Sequence, residues 1–89
     1  MTHKKYKIKI SEIEQSEAVQ KHAFLLFWGW GVQGMDVSFC DMPFLFLNGS
    51  GYIIYGDDLD DFNVYDTFEE ITPENFLKLT IDDVLIKDN

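Results

Sequence analysis

The stretch Pro43 to Gly56, P-F-L-F-L-N-G-S-G-Y-I-I-Y-G, carries no charged residue. Two apolar runs, Phe44 to Leu47 and Tyr52 to Tyr55, bracket N-G-S-G, a turn signal. That order describes a β-hairpin. F-L-F-L is apolar at every position, so its strand must be covered on both faces or lie at the centre of a sheet. The rest of the chain has to provide that cover.

Two segments on the N-terminal side fit the role. Lys5 to Ile10, K-Y-K-I-K-I, alternates with period two, as a half-buried strand does. Tyr6, Ile8 and Ile10 then face the core, and the lysines face water and discourage edge pairing. Ser11 and Glu14 form S-x-x-E, the pattern of a capping box. Val19, Ala23, Leu26, Phe27 and Trp30 follow at helical spacing. The spacing predicts a helix over 11–28, ended by the glycines at 29 and 31.

Signals on the C-terminal side are shorter. Val37 to Cys40 is compatible with a short strand. G-D-D-L-D-D-F-N, 56–63, reads as an acidic turn or one helical turn, with Leu59 and Phe62 spaced to anchor it. Phe68 to Ile71 reads as another short strand. Thr72-Pro73-Glu74 starts a helix, with Thr at the N-cap and Pro at the first helical position. Phe76, Leu77 and Leu79 are expected inside. Ile81 to Ile86 fits either a strand or a helical turn. The expected fold is α+β over a single compact domain, 1–89. One long N-terminal helix packs on a small antiparallel sheet with a central hairpin, and a short C-terminal helix follows.

A domain of 89 residues buries only about 60–65% of its unfolded surface, so its core must be dense. Eight Phe, four Tyr and two Trp supply that density. The single cysteine, Cys40, excludes an intrachain disulfide and a thiolate zinc cluster. Residues 1–10 are basic and alternating, with no long apolar run after them, and Ala23 to Trp30 is too short to span a bilayer. The expected location is cytoplasmic.

Charge is distributed unevenly. Residues 1–40 hold five lysines against four acids, which gives +1, and residues 41–89 hold two lysines against twelve acids, which gives −10. Asp57, Asp58, Asp60, Asp61, Asp66, Glu69 and Glu70 fall within fourteen residues. An acidic face repels nucleic acid and most membranes and attracts basic protein surfaces. Packed together, these acids would space negative charge as a phosphate backbone does. Solvated in a loop, they would serve solubility alone. Asp58, Asp60 and Glu69 also fall at positions 1, 3 and 12 of a calcium loop, but Phe62 and Asn63 occupy positions that need a ligand and a glycine. No metal and no cofactor is expected.

A second candidate is aromatic. Trp28, Trp30, Tyr52 and Tyr55, with glycines around them, could stack on a small nucleotide. The same residues serve equally as core packing. No cation lies between residues 22 and 77 to meet a phosphate. His3 sits near a terminus, and His22 is expected on a helix surface. No Ser–His–Asp order, H-E-x-x-H, G-x-S-x-G or P-loop is present. Cys40 has no evident base and reads as a buried thiol. An exposed aspartate loop does not raise a carboxyl pKa as acid–base catalysis requires. A binding protein is therefore expected, not an enzyme.

W-G-W-G at 28–31, P-F-L-F-L-N at 43–48, Y-I-I-Y-G at 52–56, D-D-L-D-D-F at 57–62 and E-I-T-P-E-N-F-L-K-L at 70–79 occur in that order. This arrangement resembles small accessory proteins encoded by bacteriophages and prophages. The resemblance implies a protein that acts inside a bacterial cell, where such proteins commonly inhibit host enzymes or defence systems. The expected partner is a host protein with a basic surface, such as a restriction, CRISPR or repair enzyme. Direct contact with nucleic acid or membrane is not expected. The alternative function is a sponge that sequesters a nucleotide signal in the aromatic pocket. A homo-oligomer built on the 44–47 strand or the aromatic cluster is a third arrangement.

Overall fold

The computed structural model describes residues 2–31 and 34–86. The elements are β1 (Thr2–His3), β2 (Tyr6–Lys9), α1 (Ile13–Leu25), β3 (Phe44–Leu47), β4 (Ile53–Gly56), α2 (Leu59–Val64), β5 (Glu69–Glu70), α3 (Pro73–Phe76), α4 (Ile81–Val84) and β6 (Leu85–Ile86). The fold mixes helices and sheets, with one helix much longer than the rest.

The hairpin forms where the sequence places it. The Asn48 side-chain oxygen accepts the N–H groups of Ser50 at 3.0 Å and Tyr52 at 2.9 Å. Gly51, at φ 88°, supplies a backbone conformation that a side chain would strain. Strand order is β4-β3-β2-β5. F-L-F-L is thus internal and covered on both faces. Leu45 and Leu47 join Tyr6, Ile8 and Ile53 on an inner face. Phe44 and Phe46 lie with Lys9 and Lys7 on the outer face.

The expected antiparallel sheet is in fact mixed. Residues 57–68 cross the outer face of β3 and β2, so β5 returns in the direction of β4. It pairs parallel to β2, with the Glu69 N–H donating to Lys5 O at 3.0 Å. Val37 to Cys40 forms no strand; Phe39 there has a φ of 54°. The chain ends pair as well, β1 with β6 in a two-stranded antiparallel sheet. The ambiguous tail is a helical turn followed by a strand. The Asp83 carboxylate accepts from the Thr80 N–H and hydroxyl, and those hydrogen bonds hold it below the usual carboxylate range.

Helix α1 covers the inner face through Val19, Ala23 and the adjoining Leu26. It is shorter at both ends than the 11–28 expected. The Ser11–Glu14 capping box does not form. Instead, the Gln15 side-chain oxygen accepts from the Ser11 N–H at 3.0 Å and from its hydroxyl at 2.9 Å. At the other end, Phe27 takes the left-handed position that glycine was expected to fill, with φ 71°. Its N–H donates to Phe24 O at 3.1 Å, and the Trp28 N–H donates to Ala23 O at 3.0 Å. These are the two bonds of a Schellman ending. The price is that Phe27 leaves the apolar stripe and is 64% exposed.

A polar knot lies under the same helix. Ser16 and Gln20 are fully buried. Gln20 Oε1 accepts from Trp30 Nε1 at 3.1 Å and from the Ser38 N–H at 2.9 Å. Its Nε2 donates to Ser16 Oγ at 3.0 Å and to Ser38 O at 2.7 Å. This amide replaces the strand that residues 37–40 do not form. It satisfies the backbone of Ser38 directly, as burial requires.

Helices α3 and α4 close the inner core with Phe76 and Val84, both fully buried. Thr72 caps α3 as expected, accepting from the Asn75 N–H at 3.2 Å. Leu77 points outward, not inward, and Leu79 is half-buried against the core. Both histidines are tied down. Nε2 of His3 donates to Leu26 O and that of His22 to Leu79 O, each at 2.8 Å. His3 also packs on Trp28, ring centroids 4.4 Å apart, so it is not part of a loose terminus.

Candidate functional site

The outer face of the sheet positions the acidic cluster. Phe44 and Phe46 leave an apolar floor, and α2 is anchored to it through Phe62. The Phe62 ring lies 5.0 Å from that of Phe44 and 6.2 Å from that of Phe46. Tyr65 stacks on Phe46 at 4.2 Å, and Phe68 meets Tyr65 edge-on at 4.9 Å. Leu59, expected as a second anchor, is exposed. A helix of six residues does not hold itself together in water. These three rings keep it in place.

The acids occupy the free side of this lobe. Asp57 and Asp58 form the turn from β4 into α2. Asp58 caps the helix, its carboxylate accepting from the Asp60 N–H at 3.0 Å. Asp60 and Asp61 fill the first turn, where the unpaired N–H groups of a helix start favour negative charge. All four are exposed. Among the described residues, none of them makes an ion pair. The two ion pairs found there are Lys9–Glu70 at 3.9 Å and Lys21–Glu17 at 3.5 Å.

The seven acids are divided among four environments. Asp57, Asp58, Asp60 and Asp61 form one exposed group. Asp66 is exposed in the turn between Tyr65 and Phe68. Glu70 lies beside Lys7 in the sheet and pairs with Lys9, so its charge is partly neutralised. Glu69 pairs with Tyr6 on the opposite face. Burial, with Glu69 and then Asp83, pushes the Tyr6 phenol above its ordinary pKa.

The lysine row has a role that alternation alone does not reveal. Lys7 Nζ donates to Phe62 O at 3.1 Å, at the carbonyl end of α2. Lys7 and Lys9 also lie 4.4 Å and 5.1 Å from the centre of the Phe62 ring. Each such contact contributes about 0.5–1 kcal/mol when exposed. The lysines therefore hold the C-terminal half of α2 and leave the aspartates at its start unneutralised.

Of the four aromatic residues, Trp30 and Tyr55 meet, with ring centroids 6.4 Å apart, but the four do not converge on one pocket. Trp28 and Trp30 are buried. Trp28 Nε1 donates to Asn48 O at 2.9 Å, and Trp30 Nε1 donates to Gln20. Tyr55 stacks on Phe39 at 4.5 Å, and Tyr52, an odd number of residues away on the same strand line, projects to the other face. Neither indole face is free to take a base. Two clefts of about 230 Å³ and 280 Å³ flank Ser11, and Asp57, Asp58, Asp60 and Asp61 line neither. Cys40 lines the first, with Gln20 Nε2 3.8 Å from its sulfur. Among the described residues, no three His, Cys, Asp or Glu side chains are arranged to hold a metal ion, and no helix is long and apolar enough to cross a membrane.

No protein-family model matches this chain, and no curated protein and no solved structure matches it.

Proposed function

We propose that this chain is a binding protein that presents Asp57, Asp58, Asp60 and Asp61 to the basic surface of another protein. One observation carries this reading: four exposed aspartates, unpaired among the described residues, lie on the first turn of a helix and the turn leading into it, and three aromatic rings and two lysines fix that helix to the sheet. A solvated acidic loop would need no such mounting. Fixed charge pays less entropy on binding than charge on a loose loop. The basic surfaces most able to receive it are those that bind nucleic acid, because they are built for closely spaced negative charge. A phage-type inhibitor of a host nuclease, restriction, CRISPR or repair protein fits this chemistry.

The test is capture from bacterial lysate on immobilised chain, followed by salt elution. Asp57→Lys, Asp58→Lys, Asp60→Lys and Asp61→Lys in one variant should remove the captured protein. Capture should also weaken with salt, since screening shortens from about 8 Å at physiological ionic strength to about 3 Å at 1 M. Capture that survives both changes refutes the proposal.

A further inference from the structure

The free edge of β4 lies beside the aspartates. In the β3–β4 register, the N–H and C=O groups of Ile54 and Gly56 point to β3, so those of Ile53 and Tyr55 point outward. The first part of that edge is already used: the Ile53 N–H donates to Gly29 O at 2.9 Å, and the Gly29 N–H donates to Gly51 O at 3.0 Å. Beyond Ile53 Trp30 bonds to Gly34 instead of to the strand, while the Trp30 and Phe39 rings stay against the Tyr55 side chain, with centroids 6.4 Å and 4.5 Å from it. Among the described residues, nothing pairs with the N–H or C=O of Tyr55.

This edge is unusually apolar for so acidic a protein. Ile54 and Tyr55 on the strand and Tyr52 just before it are exposed, as are Phe27 and Met35 nearby. The Phe27 carbonyl and the Met35 side chain lie near Gly51 and Gly29 respectively, at the end of the edge that Gly29 already occupies. Natural edges are usually protected by lysine, proline or a bulge. Here the strand runs straight into Asp57 and Asp58. An exposed apolar edge that ends in unneutralised carboxylates is complementary to one kind of segment: an extended strand with alternating apolar residues and a cationic end.

Building on the acidic-face proposal, we propose that the partner is engaged by β-strand addition. An extended peptide pairs antiparallel with β4 at Tyr55, and a Lys or Arg two residues before the facing position reaches Asp57 and Asp58. The backbone bonds supply affinity, and the charge sets orientation and register. A second copy of this chain is a poorer occupant, because its own β4 ends in the same aspartates.

The test is selection of random dodecapeptides displayed against the immobilised full chain, followed by fluorescence polarisation with the enriched peptide. The enriched sequences should alternate apolar residues and begin with Lys or Arg. N-methylation of the peptide nitrogen facing the Tyr55 carbonyl should weaken binding about tenfold, as loss of one backbone bond does. Asp57→Asn with Asp58→Asn should weaken it comparably and flatten its salt dependence. No enrichment, helical spacing in the winners, or indifference to N-methylation overturns strand addition. If N-methylation has no effect while the Asn variant loses binding, the edge proposal falls and the acidic face stands. If the Asn variant binds like wild type, the charge requirement of both falls. A dimer in sedimentation that blocks the peptide also overturns it.

Discussion

Gln20→Leu is the substitution for which the structure gives the clearest magnitude. The leucine fills similar volume but carries no hydrogen-bonding group. Two donors lose their acceptor, Trp30 Nε1 and the Ser38 N–H. Two acceptors, Ser16 Oγ and Ser38 O, lose their donor. Ser38 is half-buried, so its carbonyl can reach water. The Ser16 hydroxyl can turn back to its own helix. The two donors are harder to rescue. An unsatisfied buried group costs about 1–3 kcal/mol, and the added apolar burial returns part of this, which leaves about 2–4 kcal/mol of destabilisation. For a domain of this size that lowers Tm by about 8–30 °C. Urea unfolding followed by tryptophan fluorescence reads it directly. Trp30→Phe in the Gln20→Leu background should cost much less than in the wild type, because its donor is already unpaired. A loss below about 0.5 kcal/mol for Gln20→Leu, or additive behaviour of the pair, refutes the polar knot as the tie between α1 and residues 35–42.

Three other perturbations have defined outcomes. Phe62→Ala should cost about 3–4 kcal/mol and raise hydrogen exchange in α2 while β2 and β3 stay protected; uniform exchange would show that α2 is not a separately mounted lobe. Phe27→Gly should stabilise by about 0.5–1 kcal/mol, since it relieves a left-handed φ at an exposed ring and gives back part of the gain as unfolded-state entropy; destabilisation in thermal melts would contradict this. The Tyr6 phenol has its pKa raised in the folded state, so the stability it contributes is complete below the unfolded value of 10.0 and is lost as pH rises toward the folded one. Tyr6→Phe should flatten the alkaline fall in Tm, and an unchanged profile would exclude Tyr6 as its source.

The elements legible in the sequence were those set by local chemistry. N-G-S-G between two apolar runs sufficed for the hairpin. Thr72-Pro73 sufficed for the start of α3, because cap and φ restriction act within one turn. Mismatches arose where a distant partner decided the outcome. Nothing near Glu69 announces that it pairs parallel to β2, since that depends on where residues 57–68 cross the sheet. Gln15 displaced Glu14 in bonding Ser11, a choice between two neighbouring side chains of similar reach. Phe27 displaced glycine at the helix end because Trp28 has to enter the core one residue later. Of the candidate site, the acidic cluster was visible as charge. Its division was not, because Glu69 and Glu70 project to opposite faces of the sheet. The tryptophans were visible as aromatic residues, but their burial follows from hydrogen bonds to Asn48 and Gln20, which are remote in sequence. The buried Gln20 had a signal, since it and Ser16 lie on the same helical face as Ala23.

Competition with duplex DNA tests the central claim most directly. The immobilised chain is first loaded from bacterial lysate at physiological salt, and bound protein is then challenged with a short duplex of arbitrary sequence. The four exposed aspartates in and just before the first turn of α2 predict that the duplex releases the captured protein. The variant combining Asp57→Lys, Asp58→Lys, Asp60→Lys and Asp61→Lys should capture none of it. Capture that resists the duplex and is equal on both surfaces would contradict an acidic face that occupies a nucleic-acid-binding site.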